Sequence, residues 1–161
     1  MKGRNTKGMG LERYLMLLVE DDPNDIILIK RAFEKANITN PLQVVEDGEE
    51  AVAYLAGKGR YGDRQNYPLP ILILLDLKLP RKSGHEVLEW LRQQPMLKRL
   101  TVVVLTSSQQ SSDVNRAYDL GANSYLVKPV TFDALVEMVK SLNFYWIILN
   151  ENPIIKGEPN E

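Results

Sequence analysis

The chain has 161 residues, 44% of them hydrophobic, with 20 Lys and Arg against 21 Asp and Glu and no cysteine. That length and composition suit one globular domain with a real core, and the near-neutral charge argues against a general nucleic-acid binder. Missing cysteines exclude disulfides and thiolate metal sites, and no apolar run is long enough to span a bilayer.

Residues 1–10 are basic and Gly-rich without the apolar stretch of a signal peptide, and read as a flexible leader. Residues 14–19 form an oily first strand that ends on Glu20, Asp21 and Asp22. Asp22 is placed to cap a helix over residues 23–38, with Pro23 at its first position. Ile26, Ile29, Phe33 and Ala36 recur there at helical spacing. Residues 41–46 make a short second strand. Residues 47–57 make a second helix that closes on Gly57. Residues 58–70 read as a long polar loop, and the "GKG" within it lacks the spacing of a phosphate loop. The third strand covers residues 71–76 and the third helix residues 85–94, with His85 exposed near its start and without chemistry. "TVVVLT" at residues 101–106 is the fourth strand, and residues 111–122 the fourth helix. Residues 123–128 are the fifth strand. A last helix runs from residue 131 to 146, with Leu135, Met138, Val139 and Leu142 on one face.

Strands one, three and four are nearly continuous Leu, Ile and Val, the pattern of parallel strands covered on both faces. Five strands alternating with five helices predict an α/β fold with an open, doubly wound sheet. Ligands in such sheets bind beyond the carboxyl ends of the strands. At that edge strand one leaves Glu20, Asp21 and Asp22, strand three Asp76, strand four Thr106, Ser107 and Ser108, and strand five Lys128 followed by Pro129. Hard oxygens converging from several strands suit Mg²⁺, and a cation relieves the repulsion among adjacent carboxylates.

The stretches "LLVEDDPND", "LLDLKLPRKSG", "VVVLTSS" and "GANSYLVKP" stand in the order found in two-component response regulators. Over about residues 14–142 the sequence resembles their receiver domain. The resemblance implies a flavodoxin-like strand order 2-1-3-4-5, with residues 11–143 as the receiver and residues 144–161 as an extension that contacts a dimer mate or partner. It implies Asp76 as the phosphoryl acceptor. Asp21 and Asp76 would ligate Mg²⁺, Glu20 would act through water, and Lys78 would offer its backbone carbonyl. Lys128 would pair with the phosphoryl oxygens, Thr106 would donate a hydrogen bond to them, and Tyr125 would be the aromatic switch. Pro129 would follow a cis bond. Lys78 and Ser108 occupy positions whose side chains tune the phosphate's lifetime in the family.

The implied donor is a histidine on a cytoplasmic sensor kinase, and the implied output is a changed surface on helix four, strand five and helix five. The long loop at residues 58–70 and the tail "NFYWIILNENPII" are similar to those of small stand-alone regulators that partner bacterial phytochromes. Phe144, Trp146 and Ile147 in that tail either close the core or form a homodimer patch. Two rivals remain. A phosphohydrolase of the haloacid dehalogenase type would need a second acid two residues after its nucleophile, where Lys78 stands. A pseudo-receiver that only binds would be expected to lack Asp76 or Lys128, and both are present.

Overall fold

Every residue of β1 (Met16–Val19), β3 (Leu72–Leu75) and β4 (Thr101–Thr106) is buried, as their unbroken apolar runs demand. These strands belong to a computed structural model that describes residues 14–155; the leader expected over residues 1–10 lies outside them. The flanking strands β2 (Leu42–Val45) and β5 (Ser124–Val127) are half-covered edges. All pairings are parallel and the order is β2-β1-β3-β4-β5, the topology that the resemblance implied.

Alternation along the strands sends side chains to two cores. Leu17, Val19, Ile73 and Leu75 join Tyr54 and Leu55 of α2 (Gly48–Ala56) and Leu88 and Leu91 of α3 (Gly84–Arg92). Met16, Leu18, Leu72 and Leu74 join Ile29 and Phe33 of α1 (Pro23–Lys35) and Leu135 and Val139 of α5 (Phe132–Leu142). Ala117 of α4 (Ser111–Asp119) packs against Val104 and Leu77. Side chains of this size each contribute about 1.5–3 kcal/mol when fully buried, so the two layers hold the sheet and with it the rim of the strands.

Caps set the helix starts. The Asn24 N–H donates to the Asp22 side chain at 2.9 Å, and Pro23 opens α1. Asp47 accepts from the Glu50 N–H at 2.7 Å, and Ser83 with Glu86 forms a capping box on α3. Gly57 ends α2 at φ 70°, the left-handed conformation that a glycine adopts without strain.

Four local expectations need correction. Residues 58–70 are not simply a polar loop. They hold a 3₁₀ turn (Gly59–Gly62) and pack Tyr61 and Tyr67 with Tyr54, with ring centroids 4.9–6.1 Å apart. Arg64 donates to the Tyr54 and Leu55 carbonyls, both at 2.8 Å, and so satisfies the end of α2. This packing comes from single aromatic and guanidinium contacts, which leave no period in the sequence. The last helix is not regular to residue 146: it passes after Leu142 into a π-helical segment (Asn143–Leu149). That segment buries Ile147 but leaves Phe144, Tyr145, Ile148 and Leu149 exposed. His85 is buried, with Nε2 3.2 Å from the Asp113 carbonyl, because it stands three residues before Leu88 on the inner face of α3. The bond before Pro129 is trans, the ordinary preference of an X–Pro bond.

The segment between β3 and α3 carries Asp76 and is pressed against the first turn of α3. The Gly84 N–H donates to the Leu77 carbonyl at 2.9 Å, and a Cβ on Gly84 would lie 2.2 Å from the Asp76 carbonyl oxygen. Gly84→Ala is expected to lower stability by about 2 kcal/mol, the usual cost of overpacking a tight contact. Urea unfolding measures it, and an unchanged midpoint would mean that the segment yields freely.

Candidate functional site

Parallel register delivers the site. The Asp76 N–H donates to the Val19 carbonyl at 3.1 Å, the Glu20 N–H to Val45 at 3.0 Å and the Lys128 N–H to Thr106 at 2.8 Å. The ladder therefore continues one step past each strand and places Glu20, Asp76, Thr106 and Lys128 along one rim.

The Lys128 ammonium is the hub. Its Nζ lies 2.6 Å from Glu20 Oε1, 2.8 Å from Asp25 Oδ2 and 2.9 Å from Asp76 Oδ2. The outer oxygens of two of these acids meet backbone: the Asp22 N–H donates to Glu20 Oε2 at 3.1 Å, and the Lys78 N–H to Asp76 Oδ1 at 3.3 Å. Glu20 is 1% exposed and Asp76 6% exposed, so neither carboxylate can rely on water for its charge.

Glu20, Asp21 and Asp76 each offer a carboxylate oxygen, all within 4.8 Å of one another. Oxygens on one Mg²⁺ sit at about 2.1 Å from it and thus at most about 4.2 Å apart. The cluster is compatible with two direct carboxylate ligands and a third reached through water. The hard, all-oxygen donor set suits Mg²⁺ or Mn²⁺ rather than a thiophilic ion.

Burial is the main influence on Glu20 and raises its pKa from 4.5 to about 7. The neighbouring Asp76 charge pushes the same way, and the Lys128 hydrogen bond opposes both. Burial also works against the Lys128 charge, yet the bonds to Asp25, Glu20 and Asp76 outweigh it and hold the ammonium above the ordinary lysine range. Lys128 is therefore charged at neutral pH, and a bound cation would favour the ionised form of Glu20.

The remaining predicted residues occupy distinct places. Thr106 is fully buried, and its hydroxyl has no hydrogen-bond partner among the described residues. It stands two positions past Val104, which pairs with Leu75 just before Asp76. Tyr125 is half-buried on β5, and its hydroxyl donates to the Ser108 carbonyl at 3.0 Å. Burial raises the Tyr125 pKa. The Ser108 hydroxyl in turn donates to Asp113 Oδ2 at 2.5 Å. The Lys78 side chain is exposed, and its backbone N–H bonds to Asp76. Asp22 leaves the cluster to cap α1. Asp25 joins the site without having been anticipated. The signal was available: an acid in the first turn of a helix that starts at the rim.

Known proteins share this sequence pattern and fold. The sequence model of the response regulator receiver domain matches residues 16–140. The response regulator Rcp1 of Synechocystis is 41% identical over 133 residues, 83% of this chain and 88% of that protein. The probable methanogenesis regulatory protein FilR2 of Methanothrix harundinacea is 39% identical over 140 residues, 87% of this chain and 88% of that protein. Among solved structures, the phosphorylated cyanobacterial phytochrome response regulator RcpA superimposes with a TM-score of 0.81 at 38% identity, covering 88% of this chain and 99% of that one. The Mn²⁺-bound form of Rcp1 gives 0.78 at 40% identity over 88% of this chain and 99% of that one.

An orphaned buried hydroxyl costs stability that an apolar group of similar shape does not. Thr106→Val is expected to leave the resting protein as stable or more stable, by up to about 1 kcal/mol. Chemical unfolding checks this, and a clear loss of stability would mean that the hydroxyl is bonded in the resting state.

Proposed function

Because the chain belongs to the response regulator receiver family, we propose that it is a phosphoacceptor of two-component signalling and that Asp76 takes the phosphoryl group. The observation that carries this reading is the position of Asp76: a nearly buried carboxylate at a strand end, 2.9 Å from the Lys128 ammonium and inside an acidic cluster. Asp21 and Asp76 would hold Mg²⁺ directly, Glu20 through water, and the Lys78 backbone carbonyl would complete the protein's share. When bound, the ion neutralises oxygens of the transferring group.

An Asp76 carboxylate oxygen attacks phosphorus on a phosphohistidine of a sensor kinase. The new P–O bond makes an acyl phosphate, the P–N bond breaks, and its electron pair returns to the imidazole, which takes up a proton. Lys128 offsets the charge that accumulates on the phosphoryl oxygens. The Thr106 hydroxyl, without a hydrogen-bond partner among the described residues, donates to one of those oxygens. Its shift opens room behind it for Tyr125, which must then leave the Ser108 carbonyl. That movement alters the surface of α4, β5 and α5. The reaction is a single transfer with slow hydrolysis, not turnover of a free substrate. The dehalogenase-type alternative still lacks its acid, since the Lys78 side chain is exposed and basic.

The likeness to a phytochrome response regulator favours a phytochrome-type histidine kinase as the donor. No helix among the described residues is long and apolar enough to cross a membrane, and we place the protein in the cytoplasm with its kinase. Residues 11–143 form the signalling unit in this reading. Residues 144–161 form the extension.

Intact-mass measurement after incubation with acetyl phosphate and Mg²⁺ is expected to give one added phosphoryl group, absent from Asp76→Ala. No adduct on the wild-type protein would leave a binding module as the better reading.

Phe144, Tyr145, Ile148 and Leu149 are exposed, Tyr145 lines a groove with Leu126, Met138 and Trp146, and this favours a homodimer through α4, β5, α5 and the extension. Sedimentation of the unmodified and phosphorylated forms across a dilution series is expected to reveal a dimer. Monomers at every concentration in both forms would remove it.

A further inference from the structure

Donor arithmetic at Lys128 assigns a role to Asp25. A lysine ammonium has three N–H donors and no acceptor. Here three carboxylates take them: Glu20, Asp25 and Asp76, at 2.6, 2.8 and 2.9 Å. Two of the three also belong to the trio whose oxygens gather within 4.8 Å, and Asp25 does not. It comes instead from the first turn of α1, and its side chain is 32% exposed.

We infer that Asp25 is a positioning residue: as the third carboxylate on the Lys128 ammonium it shares the hold of Glu20 and Asp76, so that these two can also turn to a divalent cation and the N–H now on Asp76 can pass to the phosphoryl group. This rests on the reading of Asp76 as the acceptor. As the acyl phosphate forms, Asp76 loses its charge and its hold on the ammonium, and the freed N–H faces the new phosphoryl oxygens. Glu20 and Asp25 then anchor Lys128 from the ends of β1 and α1. Without Asp25, the ammonium rests on Glu20 and Asp76 alone and competes more strongly with the cation for their oxygens. A merely structural role is also open to Asp25, since an acid in the first turn favours a helix. That role would show in stability and would not depend on Lys128.

The test compares Asp25→Asn and Asp25→Glu, each alone and with Lys128→Met, by Mg²⁺ titration in a calorimeter. The rate of phosphorylation by acetyl phosphate at saturating Mg²⁺ is measured for the two single variants. Asp25→Asn is expected to weaken Mg²⁺ binding about fivefold, the scale of one partly exposed charged hydrogen bond, and to slow phosphorylation by a similar factor. Asp25→Glu should restore most of both. In the Lys128→Met background, Asp25→Asn should change Mg²⁺ affinity by less than about twofold, because the competitor is gone. Unchanged Mg²⁺ affinity in Asp25→Asn, or an equal loss with and without Lys128, would overturn the inference. A wild-type protein that shows this coupling yet gains no phosphoryl group would overturn the reading of Asp76 and leave the hold of Asp25 on Lys128 supported.

Discussion

The site depends on one desolvated ammonium among acids. Lys128 ties the ends of β1 and β3 and the start of α1 to the end of β5, through bonds of 2.6–2.9 Å to Glu20, Asp76 and Asp25. With Asp21 beside them, four acids face one cation. Breaking a buried pair by removing one partner leaves an uncompensated charge, at a cost of about 3–5 kcal/mol. The same excess of carboxylate makes the rim receptive to a second cation. Burial raises the Glu20 pKa to about 7 against the opposing hydrogen bond from Lys128. Lys128 thus stabilises the acids without satisfying them.

The parallel sheet is what makes this crowding available. Parallel strands end at one edge, and each contributes the residue just past its last apolar position. No strand has to include a charge, because the charges begin where the ladder stops. The segment after β3 must then turn sharply while keeping Asp76 fixed, and close contact with Gly84 provides the hold. Farther away, Arg92 gathers the Gly121, Lys98 and Leu100 carbonyls at 2.7–2.9 Å and closes the bottom of the sheet where α3, β4 and β5 meet. The rim can carry strained electrostatics because the two apolar layers and such clamps hold the rest of the frame.

Much of this was legible in the sequence, for a definite reason. The apolar runs of β1, β3 and β4 carry both their type and their parallel burial, and the acids after them follow by position. Glu20, Asp21, Asp76 and Lys128 come together because topology alone brings strand ends together. Asp22 caps α1 as its place before Pro23 predicted, while Asp25, given no role by the sequence, reaches the ammonium from the first turn of the helix. Which of two nearby acids faces the site depends on helix phase, and helix phase depends on where the cap falls. His85 was misjudged for a related reason, since its burial is set by its place three residues before Leu88. The tyrosines of residues 58–70 and the π-helical segment gave no periodic signal, because their packing depends on individual contacts across the fold.

The hydrogen bonds around Tyr125 explain how a rim event could travel. The Tyr125 hydroxyl holds the Ser108 carbonyl, the Ser108 hydroxyl holds Asp113, and the Asp113 carbonyl lies against His85. The segment between β4 and α4 is thereby tied to β5 on one side and α3 on the other. Thr106, immediately before it, is the exception, with a buried hydroxyl that has no partner among the described residues. One satisfied chain thus stands next to one unsatisfied group. A phosphoryl oxygen would supply the bond that Thr106 lacks and would loosen the chain that holds Tyr125. Signal transfer then needs no long-range wire: it needs one orphaned donor at the rim and a neighbour whose hydrogen bonds are weak enough to exchange.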